Sequence, residues 1–334
     1  MPSGYNSGVV DLDFQSRIGF SGNLGMILKK VSEDYGIGDY LNHKVITMGY
    51  EDFNLIMETS KGKYMVKIYS TFRDENECRR YVEVMEKVIG AGVRHPELYS
   101  VNGEGLYIAE TKESSIRLSV LEFVDGETFY DSGEEPTDEE SVWVIRQVTK
   151  INSIEFKPSF IYDSWAISNF SQEYEKRGEY LRGEDARQMS ELAEIFKKLN
   201  ISGLPHSFVH GDITRTNTMK NKKGNLFIID FAVANWYPRI QELAVLFCDL
   251  FFNSKNPKSF PERFRTLLEE YKKEIKLTWA EESELPTYIQ MAHAMHLLRA
   301  NYEKVVNKNN TVENEYFLNI GRIGLKYTRN LWKS

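Results

Sequence analysis

The sequence predicts an α+β protein of two lobes, the first an antiparallel sheet flanked by helices and the second mostly helical. Three observations carry this expectation. Between Val45 and Tyr69 three short runs have the period-two pattern of strands, and a turn at Ser60–Gly62 joins the last two as a hairpin. From Thr137 onward apolar residues recur at helical spacing almost throughout. The 334-residue length suits one large core or two medium ones.

Taken in order, the first twenty residues are polar and rich in Gly and Ser, and read as an irregular arm. A helix is expected from Ser21, because Leu24, Ile27, Leu28, Val31 and Tyr35 share a face and Gly36 ends the run. Three strands follow, V-I-T-M-G-Y from Val45, F-N-L-I-M-E-T from Phe53 and K-Y-M-V-K-I-Y from Lys63. Alternation along the third puts Met65, Lys67 and Tyr69 on one face and Tyr64, Val66 and Ile68 on the other. A helix from about Asp74 to Ile89 has Cys78, Val82, Met85 and Ile89 as its apolar stripe, with Glu77 at its edge beside Tyr81, and stops at Gly90 and Gly92. Ile116–Gly126 reads as a buried strand running into a turn. The acidic loop D-S-G-E-E-P from Asp131 reads as a solvated face. Thr137 and Glu140 form a capping box that opens the next helix. Helical stretches are expected at Trp165–Leu199, with a break near Gly183, and at Gln241–Phe252, Pro261–Ile275, Leu285–Val306 and Val312–Trp332. The breaks N-S-K-N-P-K, S-E-L-P and N-K-N-N-T separate the last four.

A net charge of −7 argues against broad nucleic-acid binding, which needs a basic stripe to replace phosphate counterions. Two distant cysteines, Cys78 and Cys248, read as buried thiols rather than a disulfide or metal site. With no apolar run of membrane-spanning length and no signal-peptide pattern at the start, the expectation is a cytoplasmic protein without a membrane partner.

The chemistry concentrates between His210 and Phe231. H-G-D-I-T-R-T-N, His210 to Asn217, is followed by a polar turn and then by L-F-I-I-D-F, Leu226 to Phe231. Asp212 can accept a proton from a hydroxyl, while Asn217 and Asp230 offer the hard oxygens that Mg²⁺ prefers. Singly, each suits a buried or turn-capping residue. Together, in this order and between two apolar runs, they form the parts list of phosphoryl transfer. The constellation resembles the aminoglycoside phosphotransferase and choline kinase family, protein-kinase-like enzymes that phosphorylate small molecules. Gly211 stands where protein kinases have Arg in H-R-D, and Ala232 where they have Gly in D-F-G.

The resemblance implies a bilobal protein-kinase-like fold, with a nucleotide-binding lobe over 1–124 and a catalytic, substrate-binding lobe over 125–334. ATP and Mg²⁺ are the implied cofactors, with Asn217 and Asp230 as metal ligands. Asp212 is the implied base, His210 a brace of its loop, and Glu242 of E-L-A a support from beneath where many relatives have Asp. Lys67 would hold the α- and β-phosphates, Met65 roof the adenine, and Gly49 and Asn54 belong to the phosphate loop. Glu77 is the expected carboxylate partner of Lys67, with the other acidic residues of its helix as alternatives. At the hinge the carbonyl of Glu122 and the amide of Val124 would meet adenine. The acceptor is expected to be a small hydroxyl compound such as an aminoglycoside, amino alcohol, homoserine or sugar. Trp165, Trp236, Tyr237, His293, His296 and Arg299 are on hand in the helical lobe, either as pocket wall or as core. A protein kinase or an inactive nucleotide-binding protein are the competing readings. Retention of all four of Lys67, Asp212, Asn217 and Asp230 opposes the second, and the short stretch A-V-A-N-W-Y-P-R-I-Q after Phe231 opposes the first.

Overall fold

The structure, a computed structural model, describes residues 17–46, 52–111 and 114–331. The chain falls into two compact units, Met1–Gly90 with His95–Asp125, and Ala91–Arg94 with Gly126–Ser334. Ala91–Arg94, expected with the first lobe, joins the second unit for a visible reason. The Arg94 N–H donates to Gln147 Oε1 at 2.9 Å, and its carbonyl accepts from Ile228 N at 2.9 Å.

The first unit opens with helix α1, Leu24–Asp34, which Asn23 caps by accepting from the Gly25 N–H at 2.9 Å. Its sheet comprises β1 (Tyr40–Ile46), β2 (Phe53–Thr59), β3 (Gly62–Ile68), β4 (Tyr107–Glu110) and β5 (Ser115–Glu122). The order is β1-β2-β3-β5-β4, and every neighbouring pair is antiparallel. Alternation sends Val66 and Ile68 of β3 into one apolar core with Leu28, Val31, Leu55 and Val120. Lys67 is therefore on the other face, toward α2, Glu75–Gly90. Gly49 lies outside the described residues.

The second unit has two small sheets. One joins β6 (Gly126–Thr128), β8 (Thr218–Asn221) and β9 (Leu226–Ile228); the other pairs β7 (His206–Val209) with β10 (Asn235–Pro238). The helices are α3 (Phe129–Ser132), α4 (Asp138–Asn152), α5 (Phe170–Arg177), α6 (Gly183–Phe196), α7 (Ile240–Cys248), α8 (Phe260–Glu274), α9 (Trp279–Val305) and α10 (Val312–Leu331). The Thr137–Glu140 capping box is present at the start of α4.

Strand β1, at Tyr40–Ile46, starts before the run expected from Val45, whose residues 47–50 lie outside the described residues, and further expectations need correction. Helix α9 begins at Trp279, not Leu285, and carries Pro286 inside it. A Thr278–Glu281 capping box starts it, and Glu281 is also paired with Arg239 at 2.5 Å, so the first turn is held despite the bond that Pro286 cannot make. The loop at 131–136 is not simply solvated. Glu135 Oε2 lies 2.7 Å from the Arg215 guanidinium, and the Glu134 carbonyl accepts from Arg215 Nη1 at 3.1 Å. That loop clamps an arginine of the H-G-D segment.

Helices α9 and α10 approach closely at Gly321 and Gly324. A Cβ on Gly321 would meet the Leu297 nitrogen at 2.6 Å, and one on Gly324 would meet the His293 ring at 2.0 Å. No helix among the described residues is long and apolar enough to cross a membrane.

Candidate active site

The H-G-D segment leaves β7 at Val209 and enters β8 at Thr218. Gly211 turns it with a left-handed φ of 83°, which a residue without Cβ adopts at little cost. His210 is fully buried, and both ring nitrogens are used. Nδ1 lies 3.1 Å from the Asp212 N–H and accepts it, so Nε2 carries the ring proton and donates to the Ile229 carbonyl at 3.0 Å. Burial pushes this imidazole down to about 4, and it is neutral near pH 7. A neutral ring with both nitrogens occupied braces the loop; its one proton is committed to the Ile229 carbonyl.

The bond to Ile229 also ties the loop to the end of β9, as does the Ile229 N–H, which donates to the Asn217 carbonyl at 3.0 Å. Asn217 and Asp230 are thereby brought beside each other. Asn217 Nδ2 donates to Asp212 Oδ2 at 2.7 Å and to the Asp212 carbonyl at 3.0 Å, which fixes the amide's orientation. Its Oδ1 accepts no hydrogen bond among the described residues. Asp230 has a φ of 62°, a conformation that Asp tolerates better than most side chains and that marks a constrained position. The Asp212 carboxyl is pushed well above the usual carboxylate range, first by burial and then by Asp163, Asp230 and Asp249, with a smaller opposing effect from Asn217.

Helix α7 lies against this loop. Glu242 has no exposed surface; its Oε2 accepts from His210 N at 2.5 Å and its Oε1 from Gly211 N at 3.2 Å. Burial pushes its carboxyl up to about 7, against the pull of those two N–H groups. The longer Glu thus reaches the loop in the role for which relatives were expected to use Asp.

A divalent cation suits this donor set. An oriented amide oxygen and a carboxylate on one loop-strand unit are the one or two protein ligands that Mg²⁺ commonly takes, leaving phosphate and water to complete the shell. Among the described residues no group of three His, Cys, Asp or Glu could hold a metal by itself.

In the first unit Lys67 is buried, with Nζ donating to Tyr81 Oη at 3.1 Å and lying 4.8 Å from the centre of that ring. Among the described residues the carboxylate paired with it is Asp52, at 3.6 Å, and not Glu77. Glu77 is spent on the start of α2, where its Oε2 accepts from Asp74 N at 2.9 Å and its own N–H donates to Asp74 Oδ1 at 2.8 Å. Asp52 also accepts from Arg73 Nε at 3.0 Å and Ser70 N at 3.2 Å. Nothing in the helical period could have singled it out, since it lies outside the helix, immediately before β2. Asn54 lies in β2 opposite Lys67, and Met65 lies opposite Ile56 and Leu121. Glu122 ends β5 with its N–H donated to the Glu97 carbonyl at 2.8 Å, and Val124 is buried just beyond.

Of the aromatic and basic residues noted in the second unit, Tyr237 is core, packed with Ala166 and Val209. Trp236 pairs with Phe208 in the β7–β10 ladder and is partly buried. Trp165 is partly buried, its face covered by the Arg299 guanidinium at 5.3 Å and its edge near His296 and Phe317. His293 and His296 both turn Nδ1 to the Cys248 sulfur, at 3.2 and 3.4 Å, inside the core. Sequence reading missed Asp163 and Asp249. Asp249 leaves a signal, since it follows Glu242 by two helical turns and shares its face.

An antiparallel sheet in one unit, helices in the other and this loop geometry define a protein-kinase-like fold. A sequence profile of the phosphotransferase enzyme family matches residues 43–285, most of the chain, and the protein belongs to that family. No curated protein matches it in sequence. Among solved structures, a microcompartment-associated aminopropanol kinase is similar with a TM-score of 0.69 and 11% identity, over 91% of this chain and 96% of the other. Spectinomycin phosphotransferase APH(9)-Ia, solved with ADP and spectinomycin, has a TM-score of 0.63 and 12% identity over 91% and 98%. Choline kinase LicA from Streptococcus pneumoniae has 0.61 and 14% over 91% and 99%. At such identities the likeness is one of fold.

Proposed function

We propose that this phosphotransferase moves the γ-phosphate of ATP to a hydroxyl of a small molecule. One observation carries the reading. The amide of Asn217 is tied by its nitrogen to Asp212, 2.7 Å away, which leaves its oxygen for a cation, while the bond from Ile229 N to the Asn217 carbonyl holds it against the strand end that carries Asp230. Asp212 orients the acceptor hydroxyl and takes its proton as the phosphoryl group transfers. Asn217 Oδ1 and the Asp230 carboxylate would hold Mg²⁺, which supplies charge neutralisation to the triphosphate. Lys67 meets the α- and β-phosphates, and main-chain groups at Glu122 and Val124 meet adenine. His210 and Glu242 hold the loop and touch no substrate.

A small acceptor is favoured over a protein because the chain runs from Asp230 to α7 through one short strand, β10, already paired with β7. No length remains there for a peptide platform. The hydroxyl compounds named for the three similar structures, an aminopropanol, spectinomycin and choline, indicate where an acceptor panel should begin.

Asp212→Asn tests the base. We expect turnover to fall by roughly 10²- to 10⁴-fold while the affinity for Mg·ATP, measured by calorimetry, stays near that of the unaltered enzyme. A near-normal rate would remove Asp212 from the chemistry. Label passing from ATP into proteins and not into a metabolite extract would favour the protein-kinase reading.

A further inference from the structure

We infer that Asp249 is a positioning residue for the transfer, a second anchor that holds the far half of the H-G-D loop so that Asp212 faces the acceptor. The inference rests on the reading of Asp212 as the base, but its geometry stands apart from that reading. Asp249 caps the C-terminal end of α7 and has no exposed surface. Its Oδ1 accepts from the Arg215 N–H at 2.7 Å, and its Oδ2 accepts from the Tyr316 hydroxyl at 3.0 Å.

A carboxylate is a costly choice for that position. The C-terminal end of a helix carries partial negative charge, which disfavours an anion there. A buried carboxylate also loses its hydration and needs strong partners to offset the loss. Helix α7 needs no acid at its end for its own sake. What Asp249 gains is a charge-assisted bond to the backbone of residue 215, stronger than a neutral acceptor would give.

The loop is thus gripped at two points from one helix. Glu242 takes the N–H groups of His210 and Gly211, and Asp249 takes that of Arg215. Asp212 lies between the two, and within the span Thr214 N bonds to the Asp212 carbonyl at 3.0 Å and Asn217 N to the Thr214 carbonyl at 3.1 Å. Releasing Arg215 would therefore free the turn that sets Asp212, while Asn217 keeps its separate tie, its carbonyl accepting from Ile229 N at 3.0 Å. Residue 215 is held by its side chain too, through Glu135 and the Glu134 carbonyl. Tyr316 comes from the first turns of α10, where its ring also packs on Tyr130 and Phe317. It keeps the carboxylate from rotating away from the loop.

Three variants test this: Asp249→Ala, which removes the anchor; Asp249→Asn, which keeps an oxygen for Arg215 N–H; and Tyr316→Phe, which removes only the outer bond. Each is read by kcat, by calorimetric affinity for Mg·ADP and by amide hydrogen exchange across residues 210–217. We expect Asp249→Ala to lower kcat by about 10²-fold, the cost of an angstrom-scale misplacement, with Mg·ADP affinity nearly unchanged and faster exchange at Arg215. Asp249→Asn should recover most of both losses, and Tyr316→Phe should raise exchange at Arg215 with a smaller fall in kcat. Loop exchange like that of the unaltered protein in both Asp249→Ala and Tyr316→Phe overturns the inference, as does loss of Mg·ADP affinity in step with kcat. Should Asp249→Ala not fold, Tyr316→Phe and Asp249→Asn decide alone. An enzyme that transfers phosphate to no acceptor would refute the proposed function, and loop exchange would still decide whether Asp249 is the anchor.

Discussion

His293 shows what burial does to a single side chain. Desolvation, with His296 adding to it, pushes its imidazole from 6.5 down to about 3. On unfolding, the ring regains its ordinary affinity for protons. Between pH 6.5 and about 3 the unfolded chain therefore binds a proton that the folded chain does not, so this contribution to stability is present above the window and lost as pH falls through it. We expect His293 to add a slope of up to about 1.4 kcal/mol per pH unit to the acid side of the urea-unfolding profile. A His293→Gln variant should show a shallower acid slope; an unchanged one would mean that the ring titrates normally in the fold. Reading single residues from the sequence grouped Asp212, Asn217 and Asp230 by chemistry and chain order, and the structure brings the three near one another. It failed where a partner is chosen by folding. Asp52, just before β2, reaches Lys67, while Glu77, expected at the edge of its helix's apolar stripe, turns back to accept from the Asp74 N–H at the start of that helix.

At the scale of elements, the contact of α9 with α10 reverses an ordinary rule. Replacing Gly by Ala inside a helix usually stabilises it by about 1 kcal/mol. At Gly324 a methyl group would lie 2.0 Å from the His293 ring, which Cys248 and Phe252 already hemmed in from other sides. Gly324→Ala should therefore lower stability by about 1–3 kcal/mol, the usual cost of overpacking, as read from the denaturant midpoint. A midpoint equal to or above that of the unaltered protein would show that the two helices can move apart freely. The helices themselves were legible from apolar spacing and capping boxes, as in α4. The start of α9 was not, because Pro286 reads as a stop when its neighbours are unknown. The ion pair from Arg239 that holds the preceding turn is a tertiary fact.

For the whole molecule, the proposed function assigns nucleotide contacts to both units, Lys67 in one and Asp230 in the other. A ligand that binds only the folded state stabilises it by mass action, by about 2.7 kcal/mol at a hundredfold excess over Kd. Mg·ATP should raise the melting temperature, and both Lys67→Met and Asp230→Ala should abolish most of that rise; a full rise in either variant would take that residue out of nucleotide binding. The architecture and the family were readable because one contiguous stretch carries the chemistry. The acceptor was not, since Trp165, His293 and Arg299 owe their surroundings to packing among separate helices. The two anchors on α7 have a further bearing on how this chain can vary. Glu242 and Asp249 serve the same loop only while the residues between them complete two turns, and one residue more or fewer would swing the second carboxylate by about 100° and shift it by about 1.5 Å. The stretch from 242 to 249 can thus exchange its apolar side chains over generations, but insertions and deletions within it should be purged, making its length more durable than its letters.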